Sequence, residues 1–321
     1  MRGWWQDLTD LVLPAECGGC GRPRTALCVQ CREALCGRAP CRVRPVPEPA
    51  GLPVVHAAAP YADAVRAVLL AHKERGALGL ARPLGEALAG AVSAGVREAQ
   101  GAARCVHRGG DEHVTCGRAG HGWTWAGPVG AEQDAAMEAP GRECGPLLLV
   151  PVPSARRAVR ARGHDPARRI ALAAAGELRR AGIPTAVLAV LRQRRLVADQ
   201  SGLNSRQRLA NLTGALEVAA GGGRLLRGGG RIVLVDDLMT TGASLTEAAR
   251  AVRAACVDGQ TCADGQIRAG RTRGPGRVAR RGGEGRTGQA SMGAAGVMLR
   301  RSAPVNVISA AVVAATPDSF E

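Results

Sequence analysis

The chain has 321 residues, 43 Lys+Arg against 27 Asp+Glu for a formal charge of +16, and 46% apolar residues. That is enough apolar content for a sizeable core and too much for a wholly disordered chain. No apolar run reaches the 18 residues a bilayer span needs, and the first residues, MRGWWQDLTD, carry acids where a secretory leader needs its apolar stretch. A soluble cytoplasmic protein is expected. Lys73 is the only lysine, and aromatic residues make up 2%. Such arginine-, alanine- and glycine-rich usage matches a GC-rich coding sequence, so part of the positive charge reflects codon usage rather than a binding surface.

In a reducing compartment the eleven cysteines read as metal ligands or free thiols rather than disulfides. Residues 1–43 are short, turn-rich and Cys-rich. Cys17-Gly-Gly-Cys20 and Cys28-Val-Gln-Cys31 give the spacing C-x2-C-x7-C-x2-C. Two such knuckles can place four thiolates tetrahedrally around Zn2+, and so small a module has too little core to fold without a staple. Four sulfur ligands leave no open position, which makes the zinc structural. Cys36 and Cys41 read equally as free thiols or as the remnant of a second site.

A Pro-rich linker, RPVPEPAGLP, spans 44–53. VVHAAA from 54 predicts a strand, and Ala62 to Glu98 carries helical apolar spacing. Residues 101–146 lose periodicity; their Cys105, Cys116, Cys144, His107, His113 and His121 are too irregularly spaced for a metal site. LLLVPVP at 147–153 predicts a buried strand ending in a Pro turn, Ile170 to Arg180 a helix, and PTAVLAVLR at 184–192 another strand. GGGRLLRGGG at 221–230 predicts a turn or hairpin tip, RIVLVDD at 231–237 a strand, and Ser244 to about Ala255 a helix. Residues 257–303 hold nine arginines against three acids without periodicity, and VNVISAAVVAAT at 305–316 has strand character. Alternating strands and helices predict a parallel α/β sheet over 54–318. Segments 101–146 and 257–303 far exceed ordinary loops of about 4–6 residues, and both are expected to be disordered insertions.

The most informative stretch is Ile232-Val-Leu-Val-Asp-Asp-Leu-Met-Thr-Thr-Gly-Ala-Ser244. An apolar strand delivers Asp236 and Asp237 to the C-terminal sheet edge, where open α/β folds bind ligands. Thr240, Thr241, Gly242, Ala243 and Ser244 then open a helix, whose free N–H groups and adjacent hydroxyls suit a phosphate dianion. Gly242 lets the backbone approach the phosphate without an intervening Cβ. Carboxylates would repel that phosphate, so the acids are assigned to hydroxyls or a cation. A sugar phosphate satisfies both halves. A plain strand–turn–helix with an acid pair at its exposed end fits the same residues.

This thirteen-residue run resembles the phosphoribosyl pyrophosphate (PRPP) signature of type I phosphoribosyltransferases. Further segments resemble the competence protein F (ComF) family within that fold: the N-terminal Cys module, Tyr61-Ala-Asp-Ala-Val-Arg66 leading to Lys73, Pro151-Val-Pro153 with Arg162-Gly-His-Asp165, and Gln200-Ser-Gly-Leu-Asn-Ser-Arg-Gln-Arg208-Leu-Ala-Asn211. His164 and Asp165 stand where that family usually has Phe and Asn. The resemblance implies a type I phosphoribosyltransferase fold, a parallel sheet flanked by helices, carrying a small N-terminal zinc module.

It further implies that Asp236 and Asp237 bond the ribose hydroxyls while Thr240 to Ser244 hold the 5′-phosphate. With Mg2+, a nitrogen acceptor would displace pyrophosphate from C1. Lys73, Arg156, Arg157, Arg162 and Arg208 become candidates for the pyrophosphate or for a loop that closes over PRPP. By residue type alone, the arginines also fit a solvated basic helix face, and Lys73 a C-terminal cation favoured by the helix dipole. Threonine at 240 argues against salvage of guanine or hypoxanthine, whose enzymes use an aspartate there. A non-catalytic PRPP sensor working with DNA-uptake or recombination proteins is the alternative, and a homodimer is compatible with either reading.

Overall fold

The computed structural model describes residues 16–107, 145–195, 197, 202, 204–269 and 308–320. The continuous apolar runs of the sequence fold as strands buried on both faces: β2 (Val55–Pro60), β3 (Leu147–Pro151), β7 (Arg231–Met239) and β8 (Ser309–Ala315). Such runs suit a parallel sheet covered on both sides. With β1 (Cys41–Val43) and β4 (Thr185–Val187) they form a six-stranded sheet in the order β1-β2-β8-β7-β3-β4. Only the β1–β2 pairing is antiparallel. The chain is therefore α/β, with a mostly parallel sheet flanked by helices. A separate antiparallel pair, β5 (Leu191–Gln193) and β6 (Leu216–Val218), stands beside it.

Alternation along the central strands feeds two cores. Leu147, Leu149, Val233 and Val235 face α2 (Asp63–Glu74), α3 (Ala81–His107) and α5 (Pro166–Arg180), packing with Val65, Leu69, Leu84, Leu88, Ile170 and Leu178. Leu148, Val150, Ile232 and Leu234 face the other way, against Leu226, Leu245 and Val252 of α7 (Gly222–Leu226) and α8 (Ala243–Ala269). The Cys-rich segment joins the same body. Its helix α1 (Val29–Cys36) buries Leu35 in the first core, and β1 extends the main sheet.

Several elements differ from expectation. The run 184–192 splits: Thr185–Val187 pairs with β3, while Leu191–Gln193 leaves the main sheet to pair with β6. Residues 222–226 form a short helix rather than a hairpin tip, because Leu226 is drawn into the second core. Helical structure also begins before Ile170. A first helix, α4 (Arg156–Arg162), stops at left-handed Gly163, and α5 restarts with Asp165 as N-cap and Pro166 in its first turn. Helix α3 continues to His107 and α8 to Ala269, so both run into the segments expected to be insertions; 108–144 and 270–307 lie outside the described residues. Among the described residues, no helix is long and apolar enough to cross a membrane.

Candidate functional site

Strand β7 carries Asp236 and Asp237 toward the C-terminal edge of the sheet, three and two residues before Met239 ends it. The side chain of Asp237 is only 8% exposed, and its Oδ2 lies 2.9 Å from Nζ of Lys73 at the end of α2. The sole lysine is thus joined to the acid pair. Burial works against the Lys73 charge, but Asp237 and then Asp236 outweigh it and hold the ammonium above its ordinary range. Asp236 accepts the Asp237 backbone N–H at 2.8 Å. Burial, followed by the adjacent Asp237 carboxylate, pushes Asp236 well above the usual carboxylate range. The pair is therefore an electrostatically loaded site in which a cation or a row of hydroxyls would be welcome.

The chain then turns through Thr240 and Thr241 into α8. Gly242 has φ of +72°, so glycine is needed here for backbone conformation as well as for close approach. A Cβ on Gly242 would come within 3.0 Å of Leu52 and 3.3 Å of Pro45, which shows that the 44–53 linker lies against this turn. No sequence signal pointed to that contact. Thr246 donates to the Gly242 carbonyl from both its backbone N–H and Oγ1, at 2.9 and 3.0 Å, tying the turn to the helix. The leading N–H groups of any helix lack intrahelical partners, so the 240–244 turn presents donors to an anion. Arg208, from α6 (Ser205–Leu212), reaches the same turn and donates through Nη1 to Thr240 Oγ1 at 3.3 Å, while its buried Nε has no hydrogen-bond partner. Asn204 and Gln207 make a reciprocal capping box that fixes the start of α6. Gln200 lies outside the described residues.

The Pro-Val-Pro turn leaves the sheet beside the acid pair, since Val152 N–H donates to the Val235 carbonyl at 2.9 Å. A cleft of about 310 Å³ opens beyond Pro153, lined among others by Ser154, Arg156, Arg160 and Gln193 and by no residue of the acid pair or the 240–244 turn. Arg156 and Arg157 are exposed. Arg162 is turned inward instead. Its Nη1 donates to the Lys73 carbonyl at 3.4 Å and to Glu74 Oε1 at 3.0 Å, and Nε to the Ala158 carbonyl at 3.2 Å. The ring of His164 faces two carbonyl oxygens, Arg162 O at 3.1 Å from Nδ1 and His72 O at 3.3 Å from Nε2. A neutral imidazole can donate to one of them and an imidazolium to both. Asp165 accepts the Arg168 N–H at 3.3 Å as the N-cap of α5, a task that Asn performs equally well.

Cys17, Cys20, Cys28 and Cys31 form the second site. Their sulfurs all lie within 4.8 Å of one another, and the four side chains can hold a metal ion such as zinc. The Cys28 N–H donates to Cys17 Sγ at 3.3 Å. Burial raises the Cys17 thiol, but hydrogen bonds from the backbone at Cys20, Cys28 and Gly19 outweigh it and bring it down to about 6. Burial and the neighbouring thiols push Cys31 up. The cluster thus contains a sulfur already inclined to the thiolate form that binds metal. Cys36 and Cys41 are exposed free thiols outside this group.

Glu247 was not anticipated. It is 3% exposed, accepts the Leu216 N–H at 3.0 Å, and takes a two-pronged contact from Arg250 at 2.7 Å on each oxygen. It fastens α8, and with it the 240–244 turn, to the β5–β6 pair; the Glu–Arg spacing of three was the one signal available. No protein-family model and no curated protein matches this chain.

Proposed function

We propose that the protein binds PRPP with Mg2+ at the β7–α8 turn and transfers its phosphoribosyl group to a nitrogen acceptor, on a type I phosphoribosyltransferase fold of the ComF kind. The observation that carries this reading is the Lys73–Asp237 contact of 2.9 Å. Two motifs that resemble the same family, far apart in the chain, meet at one sheet edge directly before a helix N-terminus. In this reading Asp236 and Asp237 accept from the ribose hydroxyls. The 5′-phosphate sits on the N–H groups and hydroxyls of Thr240 to Ser244, with Arg208 beside Thr240. Lys73 faces the pyrophosphate, and Mg2+ bound with PRPP would supply further positive charge there. The C1–O bond to pyrophosphate breaks as the acceptor nitrogen bonds to C1 and gives up its proton to solvent. The negative charge gathers on the leaving group, where cations contribute most. The exposed Arg156 and Arg157, which follow the Pro-Val-Pro turn in the chain, are the candidates to share that task. The cysteine cluster would hold Zn2+ as a closed, structural site.

Calorimetric titration of PRPP and Mg2+ into the zinc-loaded protein tests the reading, with Asp236→Asn/Asp237→Asn as the comparison. Binding that disappears in the double variant is expected. A folded, zinc-loaded wild type that binds no PRPP overturns the proposal. Release of pyrophosphate with a panel of ammonia, amide and heterocyclic nitrogen donors then tests turnover. Binding without any turnover would reduce the function to a PRPP-binding module acting with DNA-uptake or recombination proteins.

A further inference from the structure

The last four carbonyls of a helix have no intrahelical partner, and a helix end left without substitutes frays. In α2 those carbonyls belong to Ala71, His72, Lys73 and Glu74. The Ala71 carbonyl accepts the Ala77 N–H at 3.0 Å. The next two are met from another part of the chain: His164 Nε2 lies 3.3 Å from the His72 oxygen, and Arg162 Nη1 lies 3.4 Å from the Lys73 oxygen. Arg162 also pairs with Glu74 at 3.0 Å, and its side chain is only 15% exposed. Left-handed Gly163, with φ of +75°, makes the sharp bend between these two residues. The His72 and His164 rings rest 5.6 Å apart at a 60° tilt, which adds packing to the polar contacts.

The turn between α4 and α5 therefore grips the backbone of residues 72 and 73 from outside. Lys73 projects from that gripped segment toward Asp237. A lysine has a flexible four-carbon stem, so its head stays opposite one carboxylate only if its own Cα is fixed. We propose that Arg162 and His164 are positioning residues: they clamp the last turn of α2 so that Lys73 faces Asp237 before any ligand arrives. This assigns Arg162 to the protein's own scaffold rather than to the pyrophosphate. For its consequence on binding, the inference rests on reading Lys73 and Asp237 as part of a PRPP site.

Lys73 is the only lysine in the chain, so ε-13C-lysine labelling gives one side-chain resonance that reports on this contact alone. Asp237→Asn supplies the reference for an unpaired Lys73. Arg162→Met and His164→Phe are expected to move the resonance most of the way to that reference. His164→Phe should also lower its titration midpoint, whereas Arg162→Met removes a cation that itself depresses Lys73 and is read by chemical shift alone. His164→Gln keeps an N–H donor on a side chain of similar reach and should hold the wild-type position. Arg168→Met, an exposed charge loss on α5, should not move it. The same two disruptive variants are expected to weaken PRPP–Mg2+ binding about tenfold. If Arg162→Met fails to fold, the His164→Phe and His164→Gln pair decides the matter. A resonance that moves in Asp237→Asn but stays in place in His164→Phe overturns the proposal. If the resonance responds as expected while wild type binds no PRPP, the clamp stands and the PRPP reading fails.

Discussion

Removing the cation from the acid pair gives the sharpest energetic test. In Lys73→Met the Asp237 carboxylate, 8% exposed, loses a partner that stands 2.9 Å away. At an effective dielectric of about 20, two unit charges at that distance attract by roughly 6 kcal/mol. Much of that is offset by the desolvation both groups undergo on folding. Breaking a fully buried pair by deleting one partner typically costs ~3–5 kcal/mol. The Lys73 side chain is 33% exposed, which places this pair at or below the lower end. A loss of about 2–3 kcal/mol follows, a fall in Tm of roughly 5–10 °C for a domain of this size. Asp237→Asn alone should cost less, because it strands a lysine that can swing into solvent. The double variant Lys73→Met/Asp237→Asn should recover much of the loss, since it leaves no charge stranded at 237 and only Asp236 without its cation. Lys73 has a raised pKa, so its contribution is whole below the ordinary lysine range and fades only as pH climbs through the raised value. Measurements at pH 7 therefore lie on the plateau. The assay is a double-mutant cycle by urea and thermal unfolding. Additive single effects, or a Lys73→Met variant as stable as wild type, would show that the contact carries no energy and would refute the argument.

Zinc analysis of the purified protein should give one equivalent per chain; Cys17→Ser should lose it and a strong chelator should lower the Tm of wild type, while Cys36→Ser/Cys41→Ser should change neither. Glu247→Gln should cost about 1–3 kcal/mol at pH 7, read by urea unfolding. Burial opposes the Glu247 charge, but Arg250 and the backbone at Leu216 and Gly214 outweigh it and lower its pKa from 4.5, so its stabilising contribution is present above that value and lost as pH falls through the lowered one; the gap between variant and wild type should close in acid. Gly242→Ala should cost about 1–3 kcal/mol, because alanine is strained at φ of +72° and its Cβ would press on Leu52 at 3.0 Å. Asp165→Ala should lose about 1 kcal/mol of N-cap energy and Asp165→Asn almost none, measured by thermal unfolding.

The sheet was legible because its strands are buried on both faces, and that condition writes itself into sequence as unbroken apolar runs: LLLVP, RIVLV and SAAVVAA each became a central strand. The run 184–192 was legible as extended but its division was not, since three-residue strands such as Thr185–Val187 and Leu191–Gln193 carry no period of their own and owe their sheet to the neighbour they pair with. GGGRLLRGGG misled for a related reason. Its glycines announce a turn, yet Leu226 has a hole in the core to fill, and the short helix Gly222–Leu226 sets it there. The four clustered cysteines could be read outright, because knuckle spacing fixes where thiolates can meet. Around the acid pair, the strand and helix start of residues 232–244 could be read from sequence and the resemblance put Lys73 and Arg208 forward for the same site, but the contacts that bring them there, 2.9 Å to Asp237 and 3.3 Å to Thr240, could not be read.

Arg162 illustrates the limit most clearly. By composition and spacing it belonged with Arg156 and Arg157, three guanidiniums near a turn that suits a polyanion. In the fold, exposure separates them. Arg156 and Arg157 point to solvent, while Arg162 turns inward to the Lys73 carbonyl across 89 residues of chain. A helix period could not have shown this, because the choice depends on where α2 ends, and α2 is positioned by other packing. Part of that packing is the cysteine module: Gly18 lies so close to Leu80 and Ala71 that a Cβ there would clash at 2.6 Å with the former, and Arg75 of the segment after α2 reaches back to the Gly18 carbonyl at 3.3 Å. Helix α2 is thus held by the knuckle on one side and by Arg162 and His164 at its end. Near that end stands Lys73, whose 2.9 Å contact with Asp237 leaves little tolerance for drift. That geometry links a small glycine-rich knuckle to a helix whose far end contacts Asp237. A bulkier loop at Gly18 would displace α2, and the displacement would be felt at Asp237.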